Sequence, residues 1–473
     1  MIATAGAPVR HEHEPGPPCS TPPAWDTAAI ASLRAREYAR LDANDEAYLD
    51  YTGGGVSAAS QLRDHLELLG RDVLGNPHSE HPASLAATEL ADRTRAAILR
   101  FVRASPDEYA VVFTANASAA LKLVGEAYPF GERRRLLLTA DNHNSVNGIR
   151  EFARARGAAV DYVPLLVPSL RIASRNVVSA LEAGPAHEAG LFAFPAQSNY
   201  SGVRHPLGWI GVAQASGWDV LLDAAAYIPT QRLDLSRWHP EFVAVSWYKA
   251  LGYPTGIGSL IVRHEALARL RRPWFAGGTI GVVSVAEPRH TLAPGVTGFE
   301  DGTIDYLGIP AIEIGLRYLE TIGIETIGER VQHLTGRMLE GLAGLRHPNG
   351  APRVRVYGPL ETRDRGGTIA FNVLAPDGAI ADFRAVVAHA GSRRVSVRGG
   401  CFCNPGASEA ARGITADEMR AMFGLNGSAT GDDLRRIFGP KALGAVRASV
   451  GIASNERDVE RLLEAIETFP AAL

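Results

Sequence analysis

Residues 242–260, FVAVSWYKALGYPTGIGSL, form a mostly apolar run that ends in Ser-Trp-Tyr-Lys and opens into a glycine-rich loop. Lys249 closes the run, and upstream the stretch 218–226, WDVLLDAAA, carries Asp223 at the end of another apolar segment. Both read as buried strands. Open α/β sheets bind ligands beyond the carboxyl ends of their strands, so two such strands deliver a Lys and an Asp to one crevice. Pyridoxal phosphate needs that pair: a lysine for the Schiff base, and a carboxylate that keeps the pyridine nitrogen protonated so the ring can accept electrons. Taken alone, the two residues fit equally a surface lysine after a strand and a buried aspartate in an ion pair.

Outward from this stretch, β-rich runs recur at 109–114, 134–140, 158–165, 190–196, 219–223, 242–246 and 258–263, with helical patterns between them such as 118–128 and 145–157. The alternation predicts an α/β fold with a mostly parallel central sheet covered by helices. From about Ala311 the texture changes. Long helical stretches (311–323, 329–345) lead to separated strands at 365–373, 393–399 and 444–450 and a last helix over 456–469, which predicts a smaller α+β C-terminal domain. The expected organisation is a disordered tail over 1–24, an N-terminal helix over 25–47, a large domain over 48–315 and a small domain over 316–473. The helix is expected to pack on the small domain.

Composition narrows the function. The chain has 473 residues, 46% hydrophobic and 21% charged, with a net charge of −3, which is ordinary for a soluble globular protein of two domains. It has no basic stripe for nucleic acid and no uncharged run long enough to span a bilayer. The three cysteines, Cys19, Cys401 and Cys403, form no disulfide framework and suit a reducing cytoplasm. The N-terminal segment lacks the apolar core of a signal peptide. His11 and His13 lie there without further ligands, so no metal site is expected.

Several strand-end loops supply further candidates. In FTANASAALK (113–122), Ala117 and Ser118 open a helix whose backbone N–H groups and hydroxyl suit a phosphate, although a serine there is also an ordinary cap. His143, in DNHNSVNGIRE (141–151), can stack on a heteroaromatic ring or move protons, or be structural. Asn199, in a further loop, can donate to a phenolic oxygen or form an Asx-turn. The loop VSVRGGCFCNPGA places Arg398 beside Cys401 and Cys403, a setting in which an exposed thiol can act as a nucleophile.

These motifs, with YLDYTGGG (48–55), GNPHSEHPAS (75–84), FEDGTIDYLGIPA (299–311), RGGTIAFNV (365–373) and VRASVGIASNERDVERL (446–462), stand in one order. In that order the chain resembles the class V aminotransferases, fold-type I pyridoxal 5′-phosphate enzymes. Within the group it is most similar to the cysteine desulfurase-like domain of molybdenum cofactor sulfurases, from about Tyr48 to Leu463. The resemblance implies Lys249 as the Schiff-base residue, Asp223 as the pyridinium partner, His143 on the ring and Asn199 at the ring oxygen. It implies phosphate contacts from Ser118 and Ser246, and one from Thr279 across a homodimer. It also implies a carboxylate grip by Arg447, a guanidinium task, and Cys403 as the nucleophile that takes sulfur from L-cysteine and passes it to an acceptor.

Two positions depart from bacterial housekeeping desulfurases: Ala226 stands where they have Gln, and Tyr248, beside the cofactor lysine, stands where they have His. The resemblance stops short of the second domain with which those sulfurases bind the molybdenum cofactor, which leaves the sulfur acceptor open. Two other readings stay open as well. One is another class V reaction, such as transamination, epimerisation or C–S lysis, on a specialised amino acid. The other is a non-catalytic scaffold of the same fold.

Overall fold

The apolar runs become strands because both of their faces are covered. The structure, a computed structural model, describes residues 27–132, 134–184, 189–425, 430–442 and 444–470. β1 (Tyr109–Thr114), β2 (Leu136–Thr139), β3 (Val160–Val163), β4 (Leu191–Pro195), β5 (Asp219–Asp223), β6 (Phe242–Ser246) and β7 (Gly258–Arg263) form one sheet in the order β1-β7-β6-β5-β4-β2-β3. Every residue of β4 and of β6 is buried, which is why these segments read as continuous apolar runs rather than alternating ones. Each large apolar side chain buried in this way stabilises the fold by about 1.5–3 kcal/mol.

The pairs among β2 to β6 are parallel, as expected. β7 runs antiparallel to both β6 and β1. A parallel neighbour would need a crossover of a dozen or more residues, and the link 247–257 is too short for one. Pro195, Asp223 and Ala244 sit side by side in register, so β4, β5 and β6 release their next residues at one edge.

A second, antiparallel sheet joins Val354–Tyr357, Thr368–Val373, Ala445–Ser449 and Arg398–Gly400 in that order. The strand expected over 393–399 is divided. Val395–Ser396 pairs in parallel with Ala47–Tyr48, while Arg398–Gly400 pairs with Ala445–Ser449, so the two halves have different partners. The helices expected at 311–323 and 329–345 occupy Pro310–Ile322 and Ile324–Gly344, separated by Gly323 at φ 89°. The pattern at 145–157 breaks at Gly148 into Asn144–Asn147 and Ile149–Ala155.

The N-terminal helix, Thr27–Glu37, docks near the last helix, Glu456–Glu467. Arg34 Nη1 donates to Asp458 Oδ2 and to the Ala453 carbonyl, both at 2.7 Å and buried. The tail with His11, His13 and Cys19 lies outside the described residues. A hairpin of Ile280–Val283 and His290–Leu292, with Val282 and Val283 exposed, was not expected. Among the described residues, no helix is long and apolar enough to cross a membrane.

Candidate active site

Beyond the ends of β4, β5 and β6 lies a cavity of about 400 Å³, within the range of roughly 300–1,000 Å³ usual for small-molecule sites. Lys249 enters it from the one-turn helix Trp247–Leu251, which continues directly from β6. Trp247 anchors that turn: it is fully buried, and its Nε1 donates to Ser259 Oγ at 2.8 Å. Gly252 ends the turn at φ 74°, where a Cβ would collide with the backbone of Val56 and Ser57. Asp223 enters at the end of β5, and its Oδ1 accepts from Ala225 N at 3.0 Å. Burial lowers the Lys249 pKa; Asp223 opposes the shift, and the Arg447 and Arg398 charges add to it.

The far end of the cavity is a collection of donors. The helix Ala117–Ala127 begins there, capped by Asn116 Oδ1, which accepts from Ala119 N at 2.9 Å. Ser118 Oγ and Ser145 Oγ are 2.5 Å apart, and Ser246, Thr255 and Gly256 also line this end. His143 faces the cavity from the start of the short helix after β2, where its Nδ1 accepts from Ser145 N at 3.1 Å. That bond leaves the proton of a neutral ring on Nε2. Burial lowers the His143 pKa; Asp223 opposes this, and Lys249 and Arg447 reinforce it.

The second sheet contributes the cationic side. Arg447 is buried; its Nη2 donates to Asp50 Oδ1 at 3.0 Å and its Nη1 to the Asn199 carbonyl at 3.1 Å. Its Nε is buried and has no partner. Its guanidinium lies over the Phe402 ring at 4.8 Å. The same Asp50 carboxylate accepts from Arg398 Nε at 2.9 Å, which raises the Arg398 pKa. Burial lowers the Arg447 pKa against the opposing pull of Asp50.

The cysteine loop is a tight turn: Phe402 and Cys403 have φ of 56° and 55°, and both thiol residues are exposed. Asn199 Nδ2 donates to the Phe402 carbonyl at 2.8 Å, and Asn144 N donates to the Cys403 carbonyl at 2.7 Å.

Of the expected residues, Ala117, Ser118, His143, Asn199, Asp223, Ser246, Tyr248 and Lys249 line one cavity. Arg447, Arg398 and Cys403 stand at its side, linked through Asn199 and Asp50. Thr279 is not brought there within the chain; its hydroxyl donates to the Ala276 carbonyl at 2.8 Å. Ala226, in place of a glutamine, also lines the cavity. Gln197, Asp50 and Asn404 escaped the sequence reading. Gln197 lies two positions before Asn199 and keeps a buried Oε1 without a partner, and that proximity was the available signal. Asp50 gave none, because its partners lie hundreds of residues away.

The model of the Aminotransferase class-V family matches residues 47–462. Among curated proteins, the chain is 36% identical to the molybdenum cofactor sulfurase of Bos taurus, over 93% of this chain and 52% of the relative. It is 34% identical to that of Solanum lycopersicum, over 93% and 57%. The chain thus spans about half the length of the curated relatives it matches. Among solved structures it is similar to a cysteine desulfurase from Thermococcus onnurineus NA1, with TM-score 0.75 and 24% identity over 92% of this chain and 97% of that one. It also resembles the cysteine desulfurase CsdA of Escherichia coli, with TM-score 0.73 and 19% identity over 93% and 97%. At these identities the likeness is one of fold: a mixed α/β architecture with a mostly parallel central sheet and a smaller second sheet.

Proposed function

Because the chain belongs to the class V aminotransferase family, we propose that it is a pyridoxal 5′-phosphate-dependent cysteine desulfurase, converting L-cysteine to L-alanine and leaving a persulfide on Cys403 for an acceptor. The residues present fit the cofactor. Ala117, Ser118 and Ser246 would hold its phosphate at a helix start, Asp223 its ring nitrogen, and His143 its ring face, with Asn199, Tyr248 and Lys249 around the ring. When bound, the group supplies an electron sink for the pair released at the substrate Cα.

The protein's own side chains do the rest. Lys249, with its pKa lowered by burial, takes and returns the Cα proton. Asp223 holds a proton on the ring nitrogen. Arg447 grips the substrate carboxylate with donors left free by Asp50 and Asn199, and Arg398 adds charge beside it. The Cys403 sulfur then attacks the substrate sulfur. The single observation that carries this reading is the docking of the Cys403 turn: Asn199 holds the Phe402 carbonyl and Asn144, next to His143, holds that of Cys403.

The homodimer is part of the proposal. The hairpin just after Thr279 exposes Val282 and Val283, which suits burial against a second copy. Thr279 itself is buried against Ala276, and its contact with a neighbour's phosphate rests on the family resemblance. The two cysteines Cys401 and Cys403 are free, which suits a cytoplasmic enzyme. The proposed acceptor is a protein or small molecule that reaches the exposed turn.

The test is a single turnover of holoenzyme with L-cysteine, with alanine quantified and the added sulfur located by mass spectrometry. Persulfide on Cys403, alanine in equal amount and loss of both in Cys403→Ala are the expected results, with Cys401→Ala retaining much of the turnover. Undiminished product from Cys403→Ala would move the enzyme to elimination or amino transfer.

A further inference from the structure

Immediately after the proposed nucleophile, Asn404 is wholly buried and every polar atom of its amide is engaged. Its Nδ2 donates to the Asp141 carbonyl at 2.6 Å and to Asn199 Oδ1 at 2.9 Å. Its Oδ1 accepts from Ala407 N at 3.1 Å, capping the helix Pro405–Arg412. An ordinary cap uses only the oxygen. Here the two hydrogens reach the loops that carry the other side chains of the site: Asp141 lies two residues before His143, and Asn199 is a cavity residue whose own Nδ2 holds the Phe402 carbonyl. At Gly406 a Cβ would collide with the Ala140 carbonyl, so the helix start is pressed against the end of β2 with no room for slack.

We propose that Asn404 is a positioning residue: its amide fixes the turn of Cys403 against the Asp141–His143 and Asn199 loops, and so sets where the Cys403 sulfur meets the substrate sulfur. This rests on the desulfurase reading above. In that step the Cys403 sulfur bonds to the substrate sulfur and the substrate Cβ–S bond breaks. The electron pair of that bond stays with the carbon skeleton, which leaves as alanine after taking up a proton. L-cysteine and the Cys403 thiol thus become alanine and a Cys403 persulfide, with no outside oxidant or reductant. Proton removal at Cα is assigned to Lys249, which enters the cavity from the turn after β6 and makes none of these contacts.

Asn404→Asp separates the two roles of the side chain. A carboxylate still caps Ala407 N but cannot donate to Asp141 or Asn199, and it faces two oxygens instead. In holoenzyme, exchange of the Cα proton of L-alanine in deuterated water is expected within about twofold of the parent. Persulfide formation in a single turnover is expected to fall about tenfold to a hundredfold, in kcat rather than KM, with two donor bonds lost. Asn404→Ser, which keeps the cap and one donor without a charge, is expected to fall between the two and serves if Asn404→Asp does not fold. Persulfide formation within twofold of the parent in either variant overturns the proposal, as does a parallel loss of Cα exchange. Parent enzyme that makes no Cys403 persulfide overturns the desulfurase reading instead.

Discussion

Replacing Arg447 by Met removes the buried cation proposed to take the substrate carboxylate while leaving Asp50 paired with Arg398 at 2.9 Å. The Arg447 guanidinium has three N–H groups beyond those given to Asp50 and Asn199, among them the unpartnered Nε. Two bonds from a cation to a carboxylate are worth about 3–6 kcal/mol before competition. The Asp50 carboxylate already draws on the same charge, which reduces the expected loss to about 2–4 kcal/mol. At about 1.4 kcal/mol per decade, kcat/KM for L-cysteine should fall roughly 30-fold to 1,000-fold. The assay compares L-cysteine with cysteamine, which has the thiol and amine but no carboxylate. Parent and variant should process cysteamine at similar, low rates. An equal loss on both substrates would refute the carboxylate role and make Arg447 a support for Phe402, over which it lies. Arg447→Lys should recover only part of the activity, since an ammonium cannot present parallel donors.

Lys249→Ala should abolish turnover and remove the near-violet absorbance, quenched by borohydride, that the parent shows with pyridoxal phosphate; an unchanged band would refute Lys249 as the attachment point. Glu456 receives two 2.6 Å bonds from Arg330, which hold its pKa at about 2 against an ordinary 4.5. A depressed carboxyl pKa stabilises the fold above the unfolded value and loses that contribution as pH falls through the folded one. Glu456→Gln, discounted for partial exposure, should therefore cost about 1–2 kcal/mol near neutrality. The gap to the parent should close between pH 4.5 and about 2 in chemical denaturation; a gap independent of pH would point to packing instead. Light scattering at assay concentration should find a dimer, and a fully active monomer would rule out a role for Thr279 in a neighbour's site.

Strand ends were the legible part of this chain. β5 and β6 are buried runs with an ionisable residue placed where the apolar pattern stops, so Asp223 and Lys249 could be read with no knowledge of the neighbours. His143 and Ser118 were legible for the same reason, each following a strand at a helix start. The sheet is mostly parallel as expected, and β7 is its antiparallel exception, because its direction depends on the length of a link rather than on composition. The divided strand at 395–400 was hidden because one half pairs with Ala47–Tyr48, far away in sequence. Asp50 and Asn404 escaped for a related cause. Their chemistry resides in partners that local pattern cannot name, and each looks in sequence like a loop polar residue.

Asp50 and Arg447 stand 397 positions apart in the chain. At ribosomal speeds of about 5–20 residues per second, roughly 20–80 s separate the synthesis of the acid from that of its buried cation. During that interval the central sheet can already pair, because all seven of its strands precede Ala311, whereas the second sheet still lacks Ala445–Ser449, the strand that joins its other members. A nascent chain halted before Arg447 therefore carries Lys249 without the proposed substrate grip, and Asp50 has Arg398 but not Arg447 to draw on from the second sheet. Competence arrives late and all at once, with the last strand.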